Sequence, residues 1–307
     1  MKIVVLGAAG FIGQHLIKSI LVRDPGANIV AVTRQSDRLA FGSSVQIVQS
    51  VLGADPALIA ACRDASVIVH LAWSTTPSSS NIDPLGDVKD NLLGSVNFLE
   101  AISRDFRNRL IFISSGGTVY GQPISVPIQE THPIRPITSY GITKFGVEEY
   151  VELYSSQWNF DCTILRPANL YGPGQILRKG QGLIPAILGS LRNNEPFVMW
   201  GDGSAVRDYV FVSDVVEAIL TAIESSHAVR KRLNIGSGTG NSVIEVIETI
   251  ERITNRKVVI DHRPARLSDV PVNVLDITNA KRFLGWQPKV NLEEGLRRTI
   301  AGEFILP

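Results

Sequence analysis

The chain of 307 residues carries 30 Lys and Arg against 29 Asp and Glu, a formal charge of +1, with 44% hydrophobic and 19% charged residues. That length suits about two lobes with a sizeable core, and the neutral balance argues against a polyanion such as nucleic acid, which needs a basic excess or a basic face. Apolar runs such as Lys2–Leu6 and Val67–Leu71 fall far short of the roughly 20 residues of a membrane span, and the N-terminus runs into a glycine motif with no leader-type cleavage site. The two cysteines, Cys62 and Cys162, stand in apolar surroundings, and His15, His132, His227 and His262 show no ligand spacing. A cytoplasmic enzyme with buried thiols and without a metal is the expectation.

In chain order, the first half alternates short β-branched runs with amphipathic stretches: a strand Ile3–Leu6, a helix from Phe11, strands Ile29–Thr33, Val45–Val48 and Ser66–Leu71, a helix near Asp87–Ile102, then Leu110–Ser114. Strands alternating with helices are βαβ units, and these dictate a doubly wound α/β fold with a parallel sheet covered on both faces. After Leu165-Arg166-Pro167 the texture turns Gly- and Pro-rich, with a helix at Ile184–Leu191, a buried strand at Arg232–Gly236 and a helix at Val243–Ile253. The expected division is 1–166 for the first domain, rejoined around 208–236, and 167–207 with 237–307 for a smaller, discontinuous α/β lobe.

Gly7-Ala8-Ala9-Gly10-Phe11-Ile12-Gly13 lies between the first strand and the first helix. Glycines there permit a tight turn and close backbone approach, while the helix N-terminus offers free N–H groups to a pyrophosphate. The residue ending the second strand reports on the adenosine ribose. An acid there suits two hydroxyls, whereas Thr33 followed by Arg34 favours a 2′-phosphate, hence NADP over NAD, although NAD stays open. Further on, Tyr140 and Lys144 stand at i and i+4, on one face of a helix. A phenol near pKa 10 is a poor base at neutral pH, and an adjacent ammonium lowers that value.

With Gly7–Gly13, His70-Leu71-Ala72, Asn91-Leu92-Leu93-Gly94, Ser114–Gly121, Tyr140–Lys144, Leu165–Gly174 and Gly201–Val210, the chain resembles the extended short-chain dehydrogenase/reductase family, and within it the nucleotide-sugar epimerases and dehydratases. The likeness spans essentially the whole length. It implies a Rossmann-type domain for the dinucleotide and a second lobe for the sugar nucleotide. Tyr140 would be the base and Lys144 its activator. Gly7, Ala9, Gly10, Phe11, Ile12, Gly13, Thr33, Arg34, Leu71, Ala72, Asn91, Ser114 and Pro167 would line the cofactor. Asn169, Trp200, Arg207, Arg266 and Asp269 would hold a UDP-sugar, the arginines as forks on its diphosphate. A homodimer joined through helices at about 87–105 and 139–157 is a further implication.

Two departures narrow the chemistry. Similar enzymes carry Ser or Thr where this chain has Gly116, so the hydroxyl that meets the reacting oxygen must come from elsewhere, with Thr118 the first choice and Ser115 the second. Gly117-Thr118 also lacks the acid pair that a dehydratase uses. What remains is a 4-epimerase acting on a UDP-hexose or UDP-N-acetylhexosamine through a 4-keto sugar, ranked first. An NADPH-dependent UDP-4-keto-sugar reductase comes second, and a catalytically impaired binding homologue third.

Overall fold

The protein is described by a computed structural model covering residues 1–35, 41, 44–175, 182–265 and 270–304. The chain runs β1 (Lys2–Leu6), α1 (Phe11–Arg23), β2 (Asn28–Thr33), β3 (Val45–Gln49), α2 (Pro56–Cys62), β4 (Val67–His70), α3 (Pro77–Ile82), α4 (Pro84–Asp87), a π-helical turn Val88–Leu93, α5 (Gly94–Ser103), β5 (Arg109–Ile113), α6 (Ser139–Trp158) and β6 (Asp161–Pro167). It continues through β7 (Asn169–Tyr171), α7 (Leu183–Asn193), β8 (Phe197–Trp200), β9 (Val206–Phe211), α8 (Val212–Glu224), β10 (Lys231–Ile235), β11 (Gly240–Ser242), α9 (Val243–Thr254), β12 (Ile260–Arg263), β13 (Val272–Asn273), α10 (Thr278–Leu284) and α11 (Leu292–Phe304).

Seven strands form one sheet in the order β10-β6-β5-β4-β1-β2-β3, every neighbouring pair parallel. This is the Rossmann-like doubly wound sheet that the βαβ alternation predicts. Side chains alternate across a strand, and here both faces are apolar. Ile3 and Val5 join a core shared with Leu16 and Ile17 of α1 and Val215 and Ile219 of α8. Val4 and Leu6 face Leu58 of α2, Phe98 and Leu99 of α5, and Val147 and Val151 of α6.

The chain returns to the large sheet only with β10. That is the strand expected at Arg232–Gly236, while Val206–Phe211 builds a smaller sheet in which β9 pairs β11, β13 and β7; β8 pairs β12 separately. The partners of β9 decide this: β7 and β13 run parallel to it and β11 antiparallel. No helix among the described residues is long and apolar enough to cross a membrane. Cys62 and Cys162 are buried free thiols, and burial pushes the Cys62 thiol up to about 12.

The strand order reverses between β1 and β4, where β1 continues into Gly7 and β4 into Leu71. A crevice opens at such a switch point, outside the carboxyl ends of the strands.

Candidate active site

Two cavities of about 470 and 320 Å³ open along the carboxyl edge of the large sheet and share Gly7, Ala9, Gly10, Leu71 and Trp73. One elongated ligand can thread both. Between them lies the glycine turn. Gly7 has φ +83°, and a Cβ on it would stand 2.7 Å from Ala72 N and 2.9 Å from Leu71 C, backbone atoms with no room to give. Gly10 caps α1 without a side-chain bond, and the first turn of the helix carries no acid. The N–H groups at the start of α1 therefore face the crevice with no competing carboxylate, as a pyrophosphate requires. Phe11, Ile12 and Gly13 line the second cavity at this helix start.

The larger cavity takes Thr33, Arg34 and Gln35 from the end of β2, Val51 and Leu52 beyond β3, and Ala72 and Asn91 from the opposite wall. Thr33 is turned inward, its hydroxyl accepting Gln35 N at 3.2 Å. Arg34 is exposed at the rim. Asn91 is 1% exposed, and its amide is engaged within the chain: Oδ1 accepts Ser74 N at 2.9 Å, and Nδ2 donates to Asp87 at 2.8 Å and Thr75 at 3.1 Å. It shapes the loop after β4 rather than presenting free polar atoms to a ligand.

In the second cavity stand Ser114, Ser115, Thr118, Tyr140, Lys144, Pro167 and Asn169 together. Tyr140 and Lys144 ride the first turns of α6, whose N-cap Thr138 accepts Gly141 N at 3.1 Å. The remaining amides at that end find side chains on α3, Ser139 N on Asn81 at 2.9 Å and Tyr140 N on Ser80 at 2.9 Å. The helix end thus has partners for donors that helices otherwise leave open.

The electrostatics differ from the expectation that Lys144 lowers the phenol. Tyr140 is pushed up, first by burial and then by the negative charge of Asp87. Lys144, 3% exposed, is lowered to about 7 by burial, with Glu148 and Asp87 opposing. Its Nζ donates to Ile113 O at 2.7 Å and lies 5.7 Å from the Tyr140 ring centroid but 3.7 Å from that of Trp73. The ammonium is turned toward the strand end and the indole. The shift of the phenol is set by burial and Asp87 and not by the ammonium.

The hydroxyls sort themselves by partner. Ser114 donates to the buried Glu148, which is ion-paired to the fully buried Arg166, so that hydroxyl points into the framework. Thr118 Oγ1 is buried with no partner. Gly116 is close-packed: a Cβ there would meet Leu275 Cδ1 at 2.6 Å and Arg166 O at 2.8 Å, and its backbone bonds Pro167 O and Asn273. A serine at 116 has no space, which explains the departure noted in the sequence. Gly117 has only Asn169 Oδ1 and Ser115 Oγ near its Cβ position, at 3.8 and 3.9 Å.

Asn169 Nδ2 donates to Asp208 O at 3.2 Å, on β9. Arg207 lies one residue before it, paired in register with Asn273, whose side chain reaches Gly116; its Nη1 also donates to Val206 O at 2.9 Å. Trp200 ends β8, half-exposed and paired in register with Arg263. Neither Trp200 nor Arg207 is among the residues lining the two cavities. Arg266 and Asp269 lie outside the described residues.

Sequence reasoning missed Trp73 and Asp87. Trp73 directly follows His70-Leu71-Ala72 and packs edge-on to Tyr140 at 5.8 Å, its indole nitrogen buried without a partner. Asp87 stands four residues before Asn91 on the same helical face. Each was adjacent to a motif already singled out.

Residues 3–236 match the model of the NAD dependent epimerase/dehydratase family. The UDP-glucose 4-epimerase of Mycolicibacterium smegmatis is 32% identical over 311 residues, covering 98% of this chain and 97% of its own. Among solved structures, the UDP-glucose 4-epimerase of Thermotoga maritima with UDP-glucose is 33% identical with TM-score 0.90, covering 99% of both chains. That of Thermus thermophilus, complexed with NAD, is 29% identical with TM-score 0.91 over 100% of both.

Proposed function

The chain belongs to the NAD dependent epimerase/dehydratase family, and from that premise we propose that it is a UDP-sugar 4-epimerase, interconverting hexoses or N-acetylhexosamines at C4. The observation that carries this reading is the unpartnered, buried Thr118 hydroxyl in the same cavity as Tyr140 and Lys144, beside a glycine turn that a Cβ would fill. A nicotinamide dinucleotide fits the residues present. Gly7, Ala9 and Gly10 would cradle the diphosphate, Thr33 and Arg34 the adenosine ribose, and Leu71, Pro167 and Lys144 the nicotinamide end. When bound, it would supply a reversible hydride acceptor for the sugar carbon.

The protein's own part is proton handling and positioning. Tyr140 takes the proton of the C4 hydroxyl and gives it back. Thr118 donates to the same oxygen and fixes its place. Lys144, one turn along α6 from Tyr140, would stabilise the phenolate by its positive charge. Arg207, with Arg266, holds the diphosphate while the sugar turns over, Asn169 steadies the sugar side, and Trp200 and Asp269 serve the nucleoside. Ser115 is the reserve hydroxyl.

Purified protein incubated with UDP-glucose, UDP-galactose and their N-acetyl forms, without added cofactor, interconverts at least one pair, and Tyr140→Phe abolishes it. No interconversion with any of the four sinks the reading. Arg34 supports a second one, reduction of a UDP-4-keto sugar by NADPH. The nicotinamide released on denaturation separates them: tightly held NAD favours the epimerase, and an exchangeable NADP the reductase. We also infer a cytoplasmic homodimer, joined through the outer faces of α5 and α6.

A further inference from the structure

Both reactive residues sit on the first turns of α6, and a single carboxylate ties those turns down. Asp87, at the end of α4, has no solvent exposure. Its Oδ2 accepts Ser139 Oγ at 2.8 Å and Thr143 Oγ1 at 2.9 Å. Its Oδ1 accepts Asn91 Nδ2 at 2.8 Å and the Thr75 hydroxyl. Ser139 and Thr143 are the residues immediately before Tyr140 and Lys144. Both oxygens of the carboxylate are thereby engaged, each with two partners. Among the described residues Asp87 forms no ion pair, so its charge is solvated by neutral dipoles alone.

We propose that Asp87 is a positioning residue for the acid–base pair: it clamps the start of α6 to the loop after β4, and its buried negative charge sets the pH range over which Tyr140 and Lys144 hold the working protonation state. This deepens the epimerase reading and rests on it. A negative charge in a low-dielectric interior makes every nearby proton harder to remove. Asp87 acts in that sense on both members of the pair. The other groups facing them are Glu148, one turn along α6 and already paired with Arg166 of β6, and His70 of β4, which burial holds neutral with a pKa of about 3.

The two roles make separable predictions. Loss of the clamp lowers kcat without moving the pH optimum. Loss of the charge eases both proton losses, that of Tyr140 which switches activity on and that of Lys144 which switches it off, so both limbs of the bell-shaped profile move to lower pH.

The test is the pH profile of kcat for UDP-sugar interconversion by the protein as purified with its nicotinamide. Asp87→Asn preserves the volume and most of the hydrogen bonds, because its partner hydroxyls can reverse; both limbs should fall by about half a unit or more. Asp87→Glu, which keeps the charge, should return the limbs to their original place even at reduced kcat. Limbs that stay put in Asp87→Asn while kcat falls would make Asp87 a purely structural residue and overturn the proposal. Should Asp87→Asn not accumulate, the double variant Ser139→Ala/Thr143→Val strips both donors from Oδ2. The clamp is then lost while the charge remains, so kcat falls with both limbs in place, and an unchanged kcat is the negative result. If Tyr140→Phe keeps full activity, the epimerase reading itself fails, an outcome distinct from either Asp87 result.

Discussion

Thr118 stands where chemistry and packing disagree about what a residue should do. A buried hydroxyl without a partner costs about 1–3 kcal/mol, yet its Oγ1 is left unbonded against the cavity that holds Tyr140. Gly116, two residues earlier, cannot supply the missing hydroxyl because a Cβ there meets Arg166 O at 2.8 Å, a backbone atom fixed at the end of β6. Thr118 is the nearby residue of the turn that lines the cavity and carries a hydroxyl with no partner in the chain. Thr118→Val keeps shape and removes the donor; it should lower kcat on the order of 10²-fold with little change in KM, as loss of a bond made chiefly in the transition state does. Its folding stability should hold or rise, since an unsatisfied polar atom is gone. Steady-state kinetics and thermal melts check both signs, and a large loss in Ser115→Ala with none in Thr118→Val would transfer the role to Ser115.

At the scale of elements, α6 carries a buried cation as the condition for carrying a reactive pair. Lys144 holds its proton only up to about pH 7 in the fold against an ordinary 10.5. Between those values the unfolded chain binds more protons, so Lys144 stability rises with pH, and its penalty is fully present below pH 7. Lys144→Met should therefore raise Tm by about 2–5 °C at pH 6.5, with the gain fading toward pH 10, while activity is lost; a gain independent of pH in melts across this range would contradict it. Which elements could be read from sequence follows from the same physics. Strands β1, β2, β4 and β5 lie within a residue or two of the expected bounds, because a strand buried on both faces must be an unbroken apolar run. The glycine turn between β1 and α1 and the placing of Tyr140 and Lys144 on one helix were legible because each is local. Asp87 was not: its meaning arises from Ser139 and Thr143, more than 50 positions away, which only the packing of α4 on α6 brings together. Strand β9 went unread because membership in one sheet or another is decided by its pairing partners, β7, β11 and β13, each too short to announce itself.

For the whole molecule, the same helix has a second face to account for. On α6, Ile142, Tyr150 and Leu153 are 56, 38 and 56% exposed, and Leu93, beside α5, is 50% exposed. Ile142, Tyr150 and Leu153 recur at the 8- and 3-residue steps of one helical stripe, and α5 packs alongside α6, so the exposed side chains form a shared apolar surface opposite the sheet. A second copy presenting the same stripe would cover it as a self-complementary two-fold interface. Sedimentation should accordingly give twice the 33.4 kDa chain mass, and Ile142→Glu/Leu153→Glu should give one chain with the fold intact, since exposed substitutions usually change stability by about 0.5 kcal/mol or less. A wild-type monomer at micromolar concentration would sink the inference. The monomeric variant also measures what holds the reactive turn in place. Tyr140 and Lys144 are fixed from inside by Asp87 and α3, and Ile142 lies between them on the outward face. Retained kcat in the monomer means the inner clamp suffices, whereas a loss of kcat with an unmoved pH profile means that the partner helix supplies part of the rigidity that the charge of Asp87 does not.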